Sequence, residues 1–230
     1  MKEKKNILKK AFLATVPVLT GYLVLGFGFG IIIKSSGFSA WLAVIMSLFV
    51  YAGSMQYVAI GLLASGAPLL TVALTTLAVN ARHLFYGISM LDKYKHTGRM
   101  RPYLVFSLTD ETYSLLCGDL SHIPAEQHTY YCLFVSLLNH SYWVLGSVLG
   151  AVVGSFAKFN SEGIDFALTA LFVTVFIEQW LTSKRHAPAV IGVAVSVVCL
   201  VLFGSGDFLI PAMLAILLSL CLYKEEGRHD

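Results

Sequence analysis

The chain has 230 residues, of which 57% are hydrophobic and 13% are charged, and its formal net charge is +3 at pH 7. A soluble domain carries about 25% charged residues, so this composition excludes an ordinary soluble protein. The mean hydropathy of +0.75 is consistent with a single membrane domain and no soluble domain beside it.

The basic residues are concentrated at the N-terminus, where residues 1–10 hold five lysines and one acid, Glu3. Such an excess beside a spanning segment is typical of the cytoplasmic side, so we expect a cytoplasmic N-terminus. The apolar run that follows, Ala11–Ile33, is too long and too rich in glycine for a signal-peptide core of about 7–15 residues. We therefore expect no cleavage. A nucleic-acid interpretation of residues 1–10 is weak because the apolar run begins immediately afterwards.

Hydropathy divides the rest of the chain into hydrophobic segments with short connections. The segments lie at about 11–33, 37–65, 67–91, 103–120, 130–156, 164–183, 187–204 and 206–223. Four of them, including Gly37–Ser65 and Tyr130–Phe156, exceed the roughly 20 residues that a helix needs to span a bilayer. The sequence predicts an all-α polytopic membrane protein with seven to eight helical segments. Its parts are a basic N-terminus (1–10), one transmembrane domain (11–223) and a short polar tail (224–230).

Two weak internal matches favour a structural duplication. YLVLGFGFG at Tyr22–Gly30 and YWVLGSVLG at Tyr142–Gly150 share five of nine positions at an offset of 120 residues. LFV with a glutamine six residues after the valine occurs at Leu48–Val50 and again at Leu171–Val173, at an offset of 123. Each match alone is weak in an apolar alphabet, but two in the same order suggest repeats over 11–91 and 130–223, as many transporters have.

The basic loop Asp92–Arg101 leaves two topologies open. If all eight segments crossed, a cytoplasmic N-terminus would put this loop outside, against the positive-inside tendency. If the second and sixth segments were broken or re-entrant, this loop and Lys184–Arg185 would both be inside. The loop with Asp119 and Glu126 would then be outside, and the two halves would have opposite orientations, as in inverted repeats.

The second segment contains the polar stretch Tyr51–Tyr57. Gly53 and Ser54 either form a small-residue packing face or mark a broken helix. In the second case free backbone groups would bind a zwitterion at mid-depth, together with Gln56 and Tyr57. A buried amide such as that of Gln56 must find hydrogen-bond partners, which slightly favours the functional interpretation.

The third segment ends with the polar residues Asn80, Arg82 and His83. Arg82 either extends along its helix to the basic loop or binds a carboxylate, which suits its planar guanidinium. His83 is either structural or relays protons near neutral pH. Asn80 shares a helical face with His83 by its spacing.

Two adjacent acids, Asp110 and Glu111, interrupt the apolar fourth segment. On a continuous helix Ser107, Asp110 and Ser114 share one face, and Glu111 points about 100° away. One acid either forms a structural ion pair with Arg82, or the acids bind an ammonium group or a proton. A further candidate for proton exchange is Glu178 in the sixth segment, since threonines lie four residues before and after it. A charge near the bilayer centre costs about 2.5–3.5 kcal/mol, so such residues usually face a partner or a polar cavity.

No HExxH, GxSxG or P-loop motif occurs, so we expect no metal, no cofactor and no hydrolytic or ATP-driven activity. The four cysteines lack CxxC spacing and are expected to be buried free thiols. A membrane-embedded enzyme that uses His83 and Asp110 as an acid–base pair is one alternative to a transporter. Another is an assembly protein whose polar residues only bind a partner.

Three blocks of the sequence resemble the AzlC-like family of branched-chain amino-acid permeases. They are YAGSMQY at Tyr51–Tyr57, NARH at Asn80–His83 with Tyr86–Gly87, and TDE at Thr109–Glu111. The resemblance implies a secondary exporter of leucine, isoleucine and valine, in some members also of methionine, in a bacterial cytoplasmic membrane. It also implies a partner, a small hydrophobic AzlD-like subunit that is encoded separately.

The buried charges and this resemblance lead to one hypothesis. Helix ends at Gly53–Gln56, with Asn80 and Arg82, bind the backbone groups of the amino acid. Asp110, Glu111 or Glu178 exchanges a proton that drives export. An apolar pocket for the side chain separates valine from isoleucine by only about 1–3 kcal/mol, so broad aliphatic specificity is expected. An uptake permease or a carrier of another small metabolite is the alternative within transport.

Overall fold

The structure is a computed structural model that describes residues 2–118, 120–121, 123–156, 173, 176–177, 180–181 and 186–223. Contacts divide the chain into two compact units. The first unit comprises residues 1–68 and 79–164, and the second comprises residues 69–78 and 165–230. Each unit is described by itself.

Helices make up almost all of the described chain, and no strand occurs in that part. They are α1 (Lys2–Ser35), α2 (Ala40–Phe49), α3 (Gly53–Ala64), α4 (Leu69–Ser89), α5 (Leu91–Tyr94), α6 (Arg101–Phe106), α7 (Asp110–Cys117), α8 (His128–Phe156), α9 (Ala187–Asp207) and α10 (Leu209–Leu222), with short 3-10 helices at Gly98–Met100 and Ala125–Gln127. Among the described residues, three stretches are long and apolar enough to cross a membrane: Lys5–Ser35, Ala125–Phe156 and Ala187–Gly204. The all-α architecture is confirmed, whereas the count of seven to eight segments stays a prediction.

The second predicted segment is two helices. Ser39 caps α2 by accepting a hydrogen bond from the Trp41 backbone N–H, and α2 ends at Phe49. Tyr51 then adopts a positive φ of 43°, and α3 begins at Gly53. A helix is therefore broken at residues 50–52, immediately before Gly53 and Ser54. The sixth predicted segment, the other candidate for a break, lies largely outside the described residues.

The fourth predicted segment is also broken, which the sequence analysis missed. The Ser107 hydroxyl donates to the Tyr103 carbonyl at the end of α6, at 2.7 Å. Thr109 then caps α7 by accepting from the Thr112 backbone N–H at 3.3 Å. Because the helix ends between these residues, the prediction that Ser107, Asp110 and Ser114 share one face of a continuous helix is wrong.

The first unit is built on a close contact between α1 and α8. Gly26 faces Gly146 and Gly30 faces Gly150, and a Cβ at Gly150 would lie 2.0 Å from the Phe27 carbonyl oxygen. Small residues four apart on each helix let the two backbones touch, as in many membrane helix pairs. Residue numbers increase in the same direction in both helices along this contact, so α1 and α8 are parallel.

This direction corrects one expectation. The matched stretches Tyr22–Gly30 and Tyr142–Gly150 pack directly against each other, so the weak sequence match corresponds to a real pair of equivalent surfaces. Inverted repeats built on this match would require the two stretches to run in opposite directions. They run in the same direction, so the predicted opposite orientation is wrong for this pair.

An apolar cluster forms the end of the first unit that carries the N-terminus. Its buried members include Ile7, Ala11, Met90, Tyr94, Leu104, Leu116, Leu120, Ile123, Tyr131, Cys132 and Val135. The Lys93 ammonium joins the cluster's edge by donating to the carbonyls of Leu116, Cys117 and Gly118 at 2.7, 2.6 and 2.6 Å. The loops around residues 92–101 and 120–127 therefore lie at the same end as the N-terminus. The topology with broken second and sixth segments predicted that the second of these loops lies on the opposite side. That expectation is wrong because α7 turns back after the break.

The first hairpin, α2 and α3, lies against the other halves of α1 and α8. Ser47 of α2 bonds to Ser147 of α8, and Tyr51, just after α2, packs on His140, which lies earlier in α8. The chain therefore runs along α8 in the direction opposite to that of α8. In α3, the hydroxyl of Tyr57 bonds to the Leu25 carbonyl of α1, and the Tyr57 ring contacts Phe29 in the later part of α1. The chain thus enters from the end opposite to the N-terminus and returns to that end.

The second hairpin, α6 and α7, enters from the N-terminal end and returns to it. Leu104 of α6 and Leu116 of α7 both belong to the apolar cluster there, whereas Phe106 reaches the ring of Tyr51 at a centroid distance of 6.2 Å. The tips of the two hairpins therefore meet midway along the first unit.

In the second unit, α9 is kinked at Gly204, whose φ of 72° suits glycine. The kink lies where the sequence predicts a turn, although the helix continues to Asp207. Cys199 and Cys132 are buried, as expected. Cys117 and Cys221 are exposed, so the prediction of buried thiols is wrong for these two.

Candidate functional site

Arg82 connects the tips of the two hairpins. Its Nη1 atom lies 3.0 Å from the Asp110 carboxylate at the first turn of α7, and its Nη2 donates to the Ser54 hydroxyl of α3 at 2.7 Å. The Arg82 and Asp110 side chains are 37% and 32% exposed. The guanidinium therefore reaches from α4 to the tips of both hairpins. It does not extend along α4 towards the basic loop.

The surroundings of this ion pair leave polar atoms available. Among the described residues, Arg82 Nε and Asp110 Oδ1 are buried without a hydrogen-bond partner. His83 contacts its own helix, with Nδ1 3.2 Å from the Asn80 carbonyl. The Asn80 side chain makes no hydrogen bond to another described residue. Arg82 Nε and Asp110 Oδ1 therefore have hydrogen-bonding capacity that the described residues leave unused.

The N-termini of α3 and α7 lie beside the Arg82–Asp110 ion pair. α3 starts at Gly53 and has no side-chain cap, so its first N–H groups are free of a capping side chain. α7 starts at Asp110, next to Arg82. N-terminal N–H groups and the helix dipole favour an anion such as a carboxylate.

Glu111 faces away from Arg82 towards α1. The Tyr22 hydroxyl donates to Glu111 Oε2 at 2.6 Å and lies 2.6 Å from the Thr109 hydroxyl. Thr109 bonds to the Thr112 hydroxyl at 3.1 Å, which accepts from the Asn139 amide at 3.0 Å. The two adjacent acids therefore belong to two different polar groups.

Gln56 and Tyr57 pack into the scaffold. The Gln56 amide donates to Ser47 Oγ at 3.2 Å and accepts from the Trp143 indole at 2.9 Å, and the side chain is fully buried. The Tyr57 hydroxyl is bonded to the Leu25 carbonyl. Because their polar groups already have partners, these residues hold the first hairpin against α1 and α8. Their predicted substrate contacts stay a prediction.

Packing against Trp143 also explains why position 53 is a glycine. A Cβ at this position would lie 3.0 Å from the Trp143 ring, tighter than nearly all real contacts of this kind. The absence of a side chain lets the start of α3 approach α8. Glu178 lies outside the described residues.

The sequence analysis missed several residues of the site. His140 lies between the hairpin tips, since its Nε2 is 3.1 Å from the Ser47 carbonyl and its Nδ1 is 3.1 Å from the Tyr103 hydroxyl. The Tyr51 ring packs on it at 4.2 Å. His140 is a polar residue within the apolar fifth segment, which is a signal that could have indicated it, whereas Tyr22 had no signal beyond its place in the matched stretch.

Comparisons with known proteins agree with these observations. The model of the family described as "AzlC protein" matches residues 17–157, more than half of the chain. The "Branched-chain amino acid transport protein AzlC" of Bacillus subtilis is 48% identical over 91% of this chain and 82% of its own. An "Uncharacterized membrane protein" of Helicobacter pylori strain J99 is 42% identical over 95% of both chains.

A more distant relative, the "Inner membrane protein YgaZ" of Escherichia coli, is 29% identical over 75% of this chain and 71% of its own. No solved structure shows significant similarity to the chain. The matched region, residues 17–157, contains Arg82, both acids and most of α1 and all of α8. The chain therefore belongs to the AzlC family of membrane proteins.

Proposed function

We propose that the chain is a secondary transporter that exports leucine, isoleucine and valine, with methionine as a further candidate substrate, across the cytoplasmic membrane by proton antiport. The observation that carries this proposal is the position of Arg82 between two broken helices whose tips enter from opposite ends. The name of the Bacillus subtilis relative supports the substrate class.

The substrate carboxylate binds Arg82 and the free N–H groups at the start of α3. A guanidinium offers two parallel donors to a carboxylate, which fixes the orientation of the ligand. The substrate ammonium group binds Asp110, whose Oδ1 atom has no described partner. Asn80 and His83 lie on the same helix within one turn of Arg82 and complete the polar side of the site.

The proton is exchanged at an acidic side chain. Asp110 and Glu111 lie at the hairpin tips, and Glu178 is the third candidate from the sequence. An acid that loses its proton when substrate binds and regains it afterwards couples the two movements. The five lysines of the N-terminus support a cytoplasmic location for it in this proposal.

A small AzlD-like membrane subunit is the proposed partner. Large apolar side chains such as Leu77, Leu84 and Phe85 of α4 are more than half exposed in the described chain. Lipid or a second membrane subunit must cover such residues. The resemblance to the family favours the subunit as one part of this cover.

Export of labelled leucine from cells that produce the chain tests the proposal. Arg82→Gln should abolish export, and Arg82→Lys should restore it only in part because lysine lacks the paired donors. The exposed Arg99→Gln is the matched control and should export normally. An uncoupler should stop export by the unmodified chain, and export that continues in its presence would end the proton-antiport part.

A further inference from the structure

We propose that Glu111 is the proton-binding group of this transporter and that a hydrogen bond formed between protonated Glu111 and Tyr51 joins the two hairpin tips, while Asp110 serves Arg82 and the substrate. This inference rests on the proposed function and assigns separate roles to the two adjacent acids. It also adds Tyr22 and Tyr51 to the coupling machinery.

The first step is the difference between the surroundings of the two acids. Asp110 faces α4, where Arg82 neutralises it at 3.0 Å. Glu111 faces α1, where its contact is the neutral Tyr22 hydroxyl at 2.6 Å. Asp110 thus has a cationic partner, whereas the hydrogen-bond partner of the Glu111 side chain is an uncharged hydroxyl group. Glu111 therefore suits reversible protonation better than Asp110 does.

The second step is the Tyr51 hydroxyl. Tyr51 is 3% exposed, and its hydroxyl is buried without a hydrogen-bond partner among the described residues. It lies in the neighbourhood of Tyr22, Thr109 and Glu111. A buried hydroxyl without a partner costs free energy, and a hydrogen bond to Glu111 would remove that cost. The unused hydroxyl therefore points to a second arrangement of this cluster.

The third step is the backbone of the first tip. Tyr51 has a φ of 43°, a conformation that a bulky residue adopts only when its surroundings enforce it. Packing on His140 at 4.2 Å and on Phe106 at 6.2 Å enforces it here. A tip held in a strained conformation relaxes when the contact that holds it is weakened.

These observations lead to the following path for one proton. A proton from water on one side binds the Glu111 carboxylate, and the neutral carboxylic acid then donates to a neighbouring hydroxyl. The same proton is later returned to water on the other side, which restores the carboxylate. The titratable and charged groups in the surroundings of Glu111 are Tyr22 from α1, Tyr51 from the first tip, Arg82 from α4 and Asp110 on its own helix.

Leucine exchange in vesicles with equal leucine on both sides tests the inference over a range of pH. The unmodified chain should exchange leucine in a pH-dependent manner and should accumulate it when a pH gradient is imposed. Glu111→Gln should abolish accumulation and make any remaining exchange independent of pH. Tyr22→Phe and Tyr51→Phe should both change the pH dependence. Tyr113→Phe, whose hydroxyl contacts Ser89, is the matched control and should not.

The outcomes separate the two proposals. If the unmodified chain exchanges no leucine, the proposed function fails. If it exchanges leucine and Glu111→Gln keeps the same pH dependence and accumulation, the present inference fails alone. Should Glu111→Gln be inactive, the two tyrosine variants decide, and an unchanged pH profile in both overturns the inference. Accumulation driven by a sodium gradient instead of a pH gradient also overturns it.

Discussion

Arg82 Nη1 lies 3.0 Å from Asp110 Oδ2, so a cation from α4 neutralises an anion at the start of α7 at the point where two broken helices meet. Neither charge has another ionic partner in the described part of the chain. Each side chain is about one third exposed, and the pair is therefore partly accessible to a ligand or to solvent.

Removing one partner of this pair should cost stability as well as function. We expect Asp110→Asn to abolish leucine transport and to lower the free energy of unfolding by about 1–3 kcal/mol, because Arg82 loses its countercharge. The double variant with Arg82→Gln should recover much of the stability but no transport. Thermal unfolding in detergent and leucine efflux measure the two effects. A double variant as unstable as the single one would contradict a simple ion pair.

The glycine contact between α1 and α8 should not tolerate a side chain. Gly150→Ala places a Cβ 2.0 Å from the Phe27 carbonyl oxygen, so the helices must separate. We expect a loss of about 1–3 kcal/mol in stability, the usual cost of overpacking. Gly21→Ala on α1 meets open space and is the matched control, with no loss expected. Equal melting temperatures for the two variants would show that the contact is looser than described here.

The buried amide of Gln56 should be coupled to the Trp143 indole. Gln56→Met leaves the indole N–H without an acceptor, which should cost about 1–3 kcal/mol. Trp143→Phe leaves the amide oxygen without a donor and removes ring contacts as well. The double variant should cost less than the sum of the single ones by about 1 kcal/mol. Strict additivity of the unfolding free energies would mean that the 2.9 Å hydrogen bond contributes nothing.

The two re-entrant hairpins predict which loops share a side of the membrane. In a chain whose own cysteines are replaced, Arg99→Cys and Glu126→Cys should react with an impermeant thiol reagent from the side that carries the N-terminus. Ser65→Cys, at the end of α3, should react from the opposite side. Labelling of Glu126→Cys and Ser65→Cys from the same side would exclude the hairpin arrangement.

The sequence alone determined the class of the protein and indicated residues that meet at the hairpin tips. Its low charge and long apolar runs required a membrane protein, because such segments cannot be covered by water. Arg82, Asp110 and Gly53–Ser54 stood out because polar groups inside apolar runs must have partners. The break in the second segment was also predictable, since its small polar residues lie together.

Only the tertiary structure decided which partners Asp110 and Glu111 have and at which end of the first unit the loops lie. The break at residues 107–109 leaves no trace in hydropathy, because a broken helix inside a membrane is as apolar as a continuous one. Distant residues supply the partners there, such as Tyr22 for Glu111 and for Thr109. Only the packing of α1 against α8 brings Tyr22 to this position, so no local pattern in the sequence could place it.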